Sequence, residues 1–200
     1  MKKNVCVLTG DIIGSRKVEA ALWSPVLENS VSLYSKKFDI FRGDSFQALV
    51  PLEDAFKAAF YIKAALLGLK GLDMRIGIGI GELTMGTLPI KQATGAALLY
   101  SGEAFDSLKK ETIRIKSAYG DFDNLCNTML PLAAELMSRL TPNMAKTVAM
   151  ALQHEDANQD ELAVLLTKSY QSQVSTELNK ASYFKIKRAI DYCSKELLAL

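Results

Sequence analysis

The sequence predicts an α+β protein in which a sheet with helices on one face is followed by an all-helical C-terminal region. Three observations predict it. Short apolar runs of strand length alternate with segments of helical apolar spacing as far as residue 117, the strand signal stops near residues 118–123, and the remaining residues read as helices of ordinary length.

Residues 5–8, VCVL, form a first strand, and Leu22, Val26, Leu27, Val31 and Tyr34 mark a first helix over residues 22–34. Residues 38–41 and 46–50 flank Gly43-Asp44 and predict a hairpin, since such a pair supplies the positive φ and the side-chain-to-backbone bonds that tight turns need. LEDAFKAAFYIKAALLGL has acids near its start and a stripe through Phe56, Ala59, Phe60, Lys63 and Leu67, predicting a helix that ends near Gly68 or Gly71. MRIGIGIGELT alternates isoleucine with glycine, as a buried strand does when something packs close to one face. A helix over 93–110 and a strand over 112–117 close the region. This order describes a ferredoxin-like sheet.

The chain divides into residues 1–120 and 121–200. In the second part Pro131 and Pro142 each sit where a helix could begin. Helices are expected over 142–152, 159–166 and 170–180, the last two joined by residues 167–169. They form a helix-turn-helix unit within about residues 142–188. Leu162, Ala163, Leu166, Val174 and Leu178 have the spacing that locks the pair together. The outer face of the second helix then presents Gln171, Ser172, Gln173, Ser175, Thr176 and Asn179, with Lys168 and Lys180 at its ends. These side chains bond base edges and phosphates, so DNA is an expected partner, read by a homodimer. Lys168, Lys180, Lys185, Lys187 and Arg188 face only Glu177 between residues 168 and 188. A helical dimerisation module that never touches DNA is the other reading.

Composition bounds the function. An apolar share of 49% and a charged share of 23% are those of a globular protein that builds its own core. The first 120 residues carry 16 Lys and Arg against 12 Asp and Glu, and the rest 8 against 10, so charge alone announces no nucleic-acid binder. Cys6, Cys126 and Cys193 share no short spacing and fit reduced thiols. The single His154 argues against a histidine metal centre or triad. No run approaches a membrane span, the N-terminal apolar run is too short for a signal peptide, and a cytoplasmic location is expected.

The Gly-Asp pair occurs twice, at Gly10-Asp11 after the first strand and at Gly43-Asp44 in the hairpin. With the first strand central and the hairpin beside it, Asp11 and Asp44 can face each other. Two carboxylates ~4 Å apart repel by roughly 4 kcal/mol at an effective dielectric of 20. A magnesium ion offsets that, using carboxylates and phosphate oxygens as ligands. The loop IIGSRK supplies backbone amides for phosphates, with Gly14 allowing close approach and Ser15 donating. Ile13, Gly14, Ser15 and Gly43 are the candidate phosphate contacts. Two acidic turns are the plain alternative. RIGIGIGE reads as close sheet packing rather than a phosphate loop, Arg42 as a solvated charge, Glu82 as a salt-bridge partner, and Trp23 as a core or dimer-face anchor.

VLTGDIIGS, FDIFRGDSFQALVP and MRIGIGIGELTMGTL, in that order, resemble the catalytic core of class III nucleotidyl cyclases and of diguanylate cyclases. More closely the chain resembles the SatD family of bacterial proteins, which have a cyclase-like N-terminal part and a helix-turn-helix C-terminal part. The resemblance spans about the whole chain. It implies a nucleotide-cyclase-type sheet and two metal ions at Asp11 and Asp44, with the Ile12 carbonyl a further ligand. The chain departs from the cyclases in having Phe38 and Ile40 where a purine-selecting lysine is expected. It also has Leu99 and Glu103 where an asparagine and an arginine stand on the helix after the glycine-rich strand. An acid cannot stabilise charge developing on a phosphate, and such a loss costs about 10²-fold or more. The expectation is a regulator with a magnesium-dependent nucleotide-sensing domain. An active nucleotidyl or dinucleotide cyclase, and a partner-binding scaffold with both sites vestigial, are the alternatives.

Overall fold

The computed structural model describes residues 4–86 and 89–200. Strands β1 (Val5–Ile13), β2 (Lys37–Phe41), β3 (Ser45–Val50), β4 (Asp73–Gly81) and β5 (Ile113–Lys116) form one sheet in the order β2-β3-β1-β4-β5. β1 is central and antiparallel to β3 and β4; β2 is antiparallel to β3, and β5 lies parallel to β4. The described residues also form eight α-helices, so the chain is mixed α and β.

The pleat of β1 and β4 sends alternate side chains to opposite faces. One face presents Cys6, Leu8, Ile12, Ile76, Ile78 and Ile80, which join Trp23, Leu27 and Val31 of α1 (Ala20–Ser32) and Phe56 and Phe60 of α2 (Ala55–Leu67) in the core. The other face presents Val7 and Thr9 beside Gly77 and Gly79, and α3 (Ala96–Asp106) lies on it. A Cβ on Gly77 would stand 2.4 Å from the Ser101 carbonyl oxygen, and one on Gly79 2.1 Å from that of Ala97. Glycine therefore lets a helix backbone touch the sheet. The Thr9 and Ser101 hydroxyls meet there at 2.9 Å. Helices cover both faces, where the sequence predicts one.

Other local expectations are corrected too. β1 continues through Gly10-Asp11 to Ile13, because both neighbours pair with it along that length. The positive φ angles at the hairpin tip fall on Arg42 and Gly43, not on Asp44. α3 is shorter than residues 93–110. Pro131 lies inside α4 (Gly120–Ser138), where the buried series Phe122, Cys126, Leu130, Ala134 carries the helix through it. Pro142 does start α5 (Pro142–Gln153), at whose head the Thr141 hydroxyl accepts the Met144 N–H.

α6 (Gln159–Leu165), α7 (Gln171–Lys180) and α8 (Tyr183–Leu198) complete the chain. α5 packs on α2, and α4 on β5 and α8, so one continuous apolar core holds both Cys6 and Leu197. Lys63, in the buried stripe of α2, reaches the Asp73 carboxylate at 2.5 Å and the Thr112 hydroxyl at 3.0 Å. The Ser138 hydroxyl donates to the other Asp73 oxygen, so this buried ion joins α2, β4 and α4. No described helix is long and apolar enough to cross a membrane.

Candidate functional site

The end of β1 and the hairpin tip are joined by two bonds. The Ile12 N–H donates to the Asp44 carbonyl at 3.0 Å, and the Ser15 hydroxyl to the Asp44 carboxylate at 2.6 Å. Gly14 makes the second possible: its φ is 86°, and a Cβ there would lie 2.4 Å from the Gly71 carbonyl oxygen. The chain then enters a 3₁₀ turn at Ser15–Lys17.

A cleft of about 540 Å³ opens beside these bonds, walled by residues 12–17, by Asp44 and Arg75, and by residues 109–112 ahead of β5. Arg16, Lys17, Arg75, Lys109 and Lys110 line it against Asp44 and Glu111. Its excess of positive charge suits an anion, and its volume falls in the range of small-ligand sites. A second cavity of about 570 Å³ lies at the other end of the sheet, among Tyr34, Leu33, Leu49 and Pro51, away from every predicted site residue.

The structure gathers Ile12, Ile13, Gly14, Ser15 and Asp44 on the cleft. Gly43 stays at the hairpin tip and Asp11 outside the lining. Both Asp11 oxygens are held by Arg75, through Nε at 2.9 Å and Nη2 at 2.5 Å. Thus the positive charge expected between two carboxylates is, at Asp11, a guanidinium. Arg75 also lies over the Phe105 ring, 5.5 Å from its centroid, and its bond to Asp11 raises its pKa.

Of the two carboxylates expected to hold magnesium, only Asp44 faces the cleft. The second Asp44 oxygen has only a 3.4 Å contact with the Ser45 hydroxyl, and one carboxylate plus phosphate oxygens suffices for this ion. Sequence reasoning missed Arg75, Lys109 and Lys110. Their signal was the position of each beside a strand end, Arg75 opening β4 and the lysine pair preceding β5, but neither strand neighbours β1 in sequence.

At the position compared with the cyclase arginine, Glu103 pairs with Lys116, and Leu99 is 59% exposed. Trp23 is a core residue whose indole donates to the Val18 carbonyl at 3.2 Å.

In the helical part, α6 begins with reciprocal capping by Asn158 and Glu161, and Leu162 and Ala163 pack toward the buried Val174 and Leu178 of α7. Thr167 takes φ 52° in the connection, a conformation that usually falls to glycine. Lys168 pairs with Glu177 at 2.9 Å, and the Gln171 amide donates to Gln159. These two predicted DNA contacts are engaged within the protein. Ser172, Gln173, Thr176, Asn179 and Lys180 remain exposed, and Ser175 is half-buried. Ser172, Gln173, Thr176 and Lys180 border a shallow pocket of about 470 Å³ with Thr141 and Asn143 at the head of α5.

No family model matches the chain, and no curated protein matches it.

Proposed function

We propose that the chain is a cytoplasmic, SatD-like regulator that binds a nucleotide in the cleft beside Asp44 and contacts DNA through α7. The observation that carries the reading is the cleft itself. Arg16, Lys17, Lys109 and Lys110 line it beside a glycine-dependent turn, while Arg75 is paired with Asp11 and the Ser15 hydroxyl, expected on a phosphate, donates to Asp44. This is the chemistry of a polyphosphate site.

The order β4-β1-β3-β2, antiparallel throughout, supports a ferredoxin-like core to which β5 and α3 are added. A short capped helix, a five-residue connection and an amphipathic second helix support a helix-turn-helix in which α7 enters the major groove. Magnesium, when bound, would neutralise phosphate charge from Asp44. Glu103 and Leu99 give no support to cyclisation, so binding rather than turnover is the reading.

The test is a thermal-shift panel of ATP, GTP, their cyclic forms and cyclic dinucleotides, with and without magnesium, followed by product analysis. A ligand at 100 times its dissociation constant adds about 2.7 kcal/mol. A shift without product is expected. Product would favour the cyclase, and no shift with any compound would sink the nucleotide reading. DNA binding is read separately by fluorescence anisotropy of a labelled duplex, which Gln173→Ala with Thr176→Ala should weaken.

A further inference from the structure

The cavity of about 570 Å³ at the other end of the sheet is lined by the segment between α1 and β2, by the end of β3 and by the turn that leads into α2. Antiparallel pairing of β2 with β3 brings these together, since Lys37 stands opposite Leu49. Val5, Leu33, Leu49, Val50 and Pro51 give the cavity apolar walls, and its volume is that of a small-ligand site.

Its polar groups choose the ligand. The Ser32 and Ser35 hydroxyls are already bonded to backbone carbonyls, Ser32 to Asn29 and Ser35 to Lys37 and Leu49. Asp54 differs. It holds the N-cap position of α2, yet its side chain caps no backbone N–H, and Lys57, three residues on, pairs with Glu155 at 3.0 Å. Among the described residues no side chain bonds to its half-buried carboxylate. Burial pushes its pKa up, against the pull of Lys57 and with the help of Glu53 and Glu155. Tyr34, edge-on to Tyr61 at 5.4 Å, walls the same cavity, and its hydroxyl keeps its proton because burial, Tyr61, Asp54 and Glu155 all raise its pKa. On the β2 side Lys37 donates to an uncharged partner, the Gly86 carbonyl at 3.1 Å, and Lys36 is exposed. One cavity thus carries a carboxylate and two ammonium groups that do not pair with one another, together with apolar surface.

We propose that this cavity binds a free amino acid with a large apolar side chain, its ammonium on Asp54 beside the Tyr34 hydroxyl and its carboxylate toward Lys36 and Lys37. An apolar amine would leave the lysines without a partner, and an apolar acid would leave Asp54 without one. A molecule carrying both charges on an apolar body answers all three. An aromatic side chain fills more of the volume than an aliphatic one and can meet the Tyr34 ring. The site depends on neither the nucleotide nor the DNA reading.

The test is isothermal titration of the full chain with L-phenylalanine, phenethylamine and 3-phenylpropionate, which share a ring and differ in charge. L-phenylalanine should bind saturably, and the amine and the acid each about tenfold or more weaker, since each forgoes one charged contact. Asp54→Asn should weaken L-phenylalanine about tenfold and leave 3-phenylpropionate unchanged. Lys36→Ala with Lys37→Ala should weaken L-phenylalanine and leave phenethylamine unchanged. Asp54, Lys36 and Lys37 lie outside the core, and circular dichroism checks each variant's fold. No saturable binding of L-phenylalanine at millimolar concentration would overturn the proposal. Equal affinities for the three compounds, or an Asp54→Asn variant that binds L-phenylalanine as the wild type does, would overturn it equally.

Discussion

Lys63 occupies a position in α2 that spacing alone assigns to the core, and its side chain is fully buried. Burial pushes its pKa down, while Asp73, hydrogen-bonded to it, pulls the other way. The partner was not legible, since Asp73 lies just outside the segment read as the glycine-rich strand; only the sheet brings it within reach of α2. The asymmetry of buried pairs gives a prediction. Asp73→Ala strands an ammonium in the core and should cost about 3 kcal/mol or more. Lys63→Met keeps the volume and leaves Asp73 bonded to the Met74 N–H and the Ser138 hydroxyl, so it should cost markedly less. Urea denaturation of both variants decides, and equal losses would count against the account. Glu155 makes a second residue-scale case. Burial raises its pKa, but the bonds and charges of Lys57 and Lys187 outweigh this and hold it below the ordinary 4.5. A depressed carboxylate stabilises above its unfolded pKa and loses that contribution as pH falls through the folded value. Glu155→Gln should therefore flatten the stability profile below about pH 4.5 and change its slope little above it.

At the scale of elements, the alternation in IGIGIG made β4 legible, together with the close contact on one of its faces. That α3 supplies the contact was hidden, because glycines say that something approaches and not what. Gly79→Ala tests it. The new methyl group meets the backbone of α3 at 2.1 and 2.3 Å, and a backbone cannot swing aside as a side chain can. A loss of about 3 kcal/mol is expected. Gly81→Ala, whose nearest contacts are 3.0 Å to the Ala96 methyl and 3.0 Å to the Ala97 backbone nitrogen, should lose less in the same melts. The edge strand β5 shows a device that no periodicity announces: the Asn127 side chain accepts the Ile115 N–H and donates to the Ile115 carbonyl, both at 2.9 Å. One amide thus satisfies two backbone groups and closes the edge. Asn127 sits one turn before Pro131, and the same helix that the proline was expected to begin carries this clamp.

At the scale of the whole molecule, α2 links the cleft to the helical region, since Lys63 is bonded to the cleft residue Thr112 and α5 packs on the same helix. A ligand can bias the arrangement of α5 to α7 only if it binds two arrangements with different affinity. The charge pattern around the cleft also predicts how Asp11, outside its lining, and Asp44, within it, differ. If Asp11 and Asp44 were equivalent metal ligands, replacing either by asparagine would remove the magnesium-dependent part of nucleotide binding. In this structure they are not equivalent, since Asp11 is locked by Arg75 and Asp44 faces the cleft. Asp44→Asn should abolish the effect of magnesium. Asp11→Asn should free the Arg75 guanidinium and raise nucleotide affinity in the absence of magnesium. Lys109→Ala with Lys110→Ala should lower affinity by about 100-fold, at about 1.5 kcal/mol for each charged hydrogen bond lost. Isothermal titration with and without magnesium separates the cases: parallel losses in Asp11→Asn and Asp44→Asn would return the site to a two-carboxylate metal centre, while opposite effects assign the Asp11 charge to Arg75.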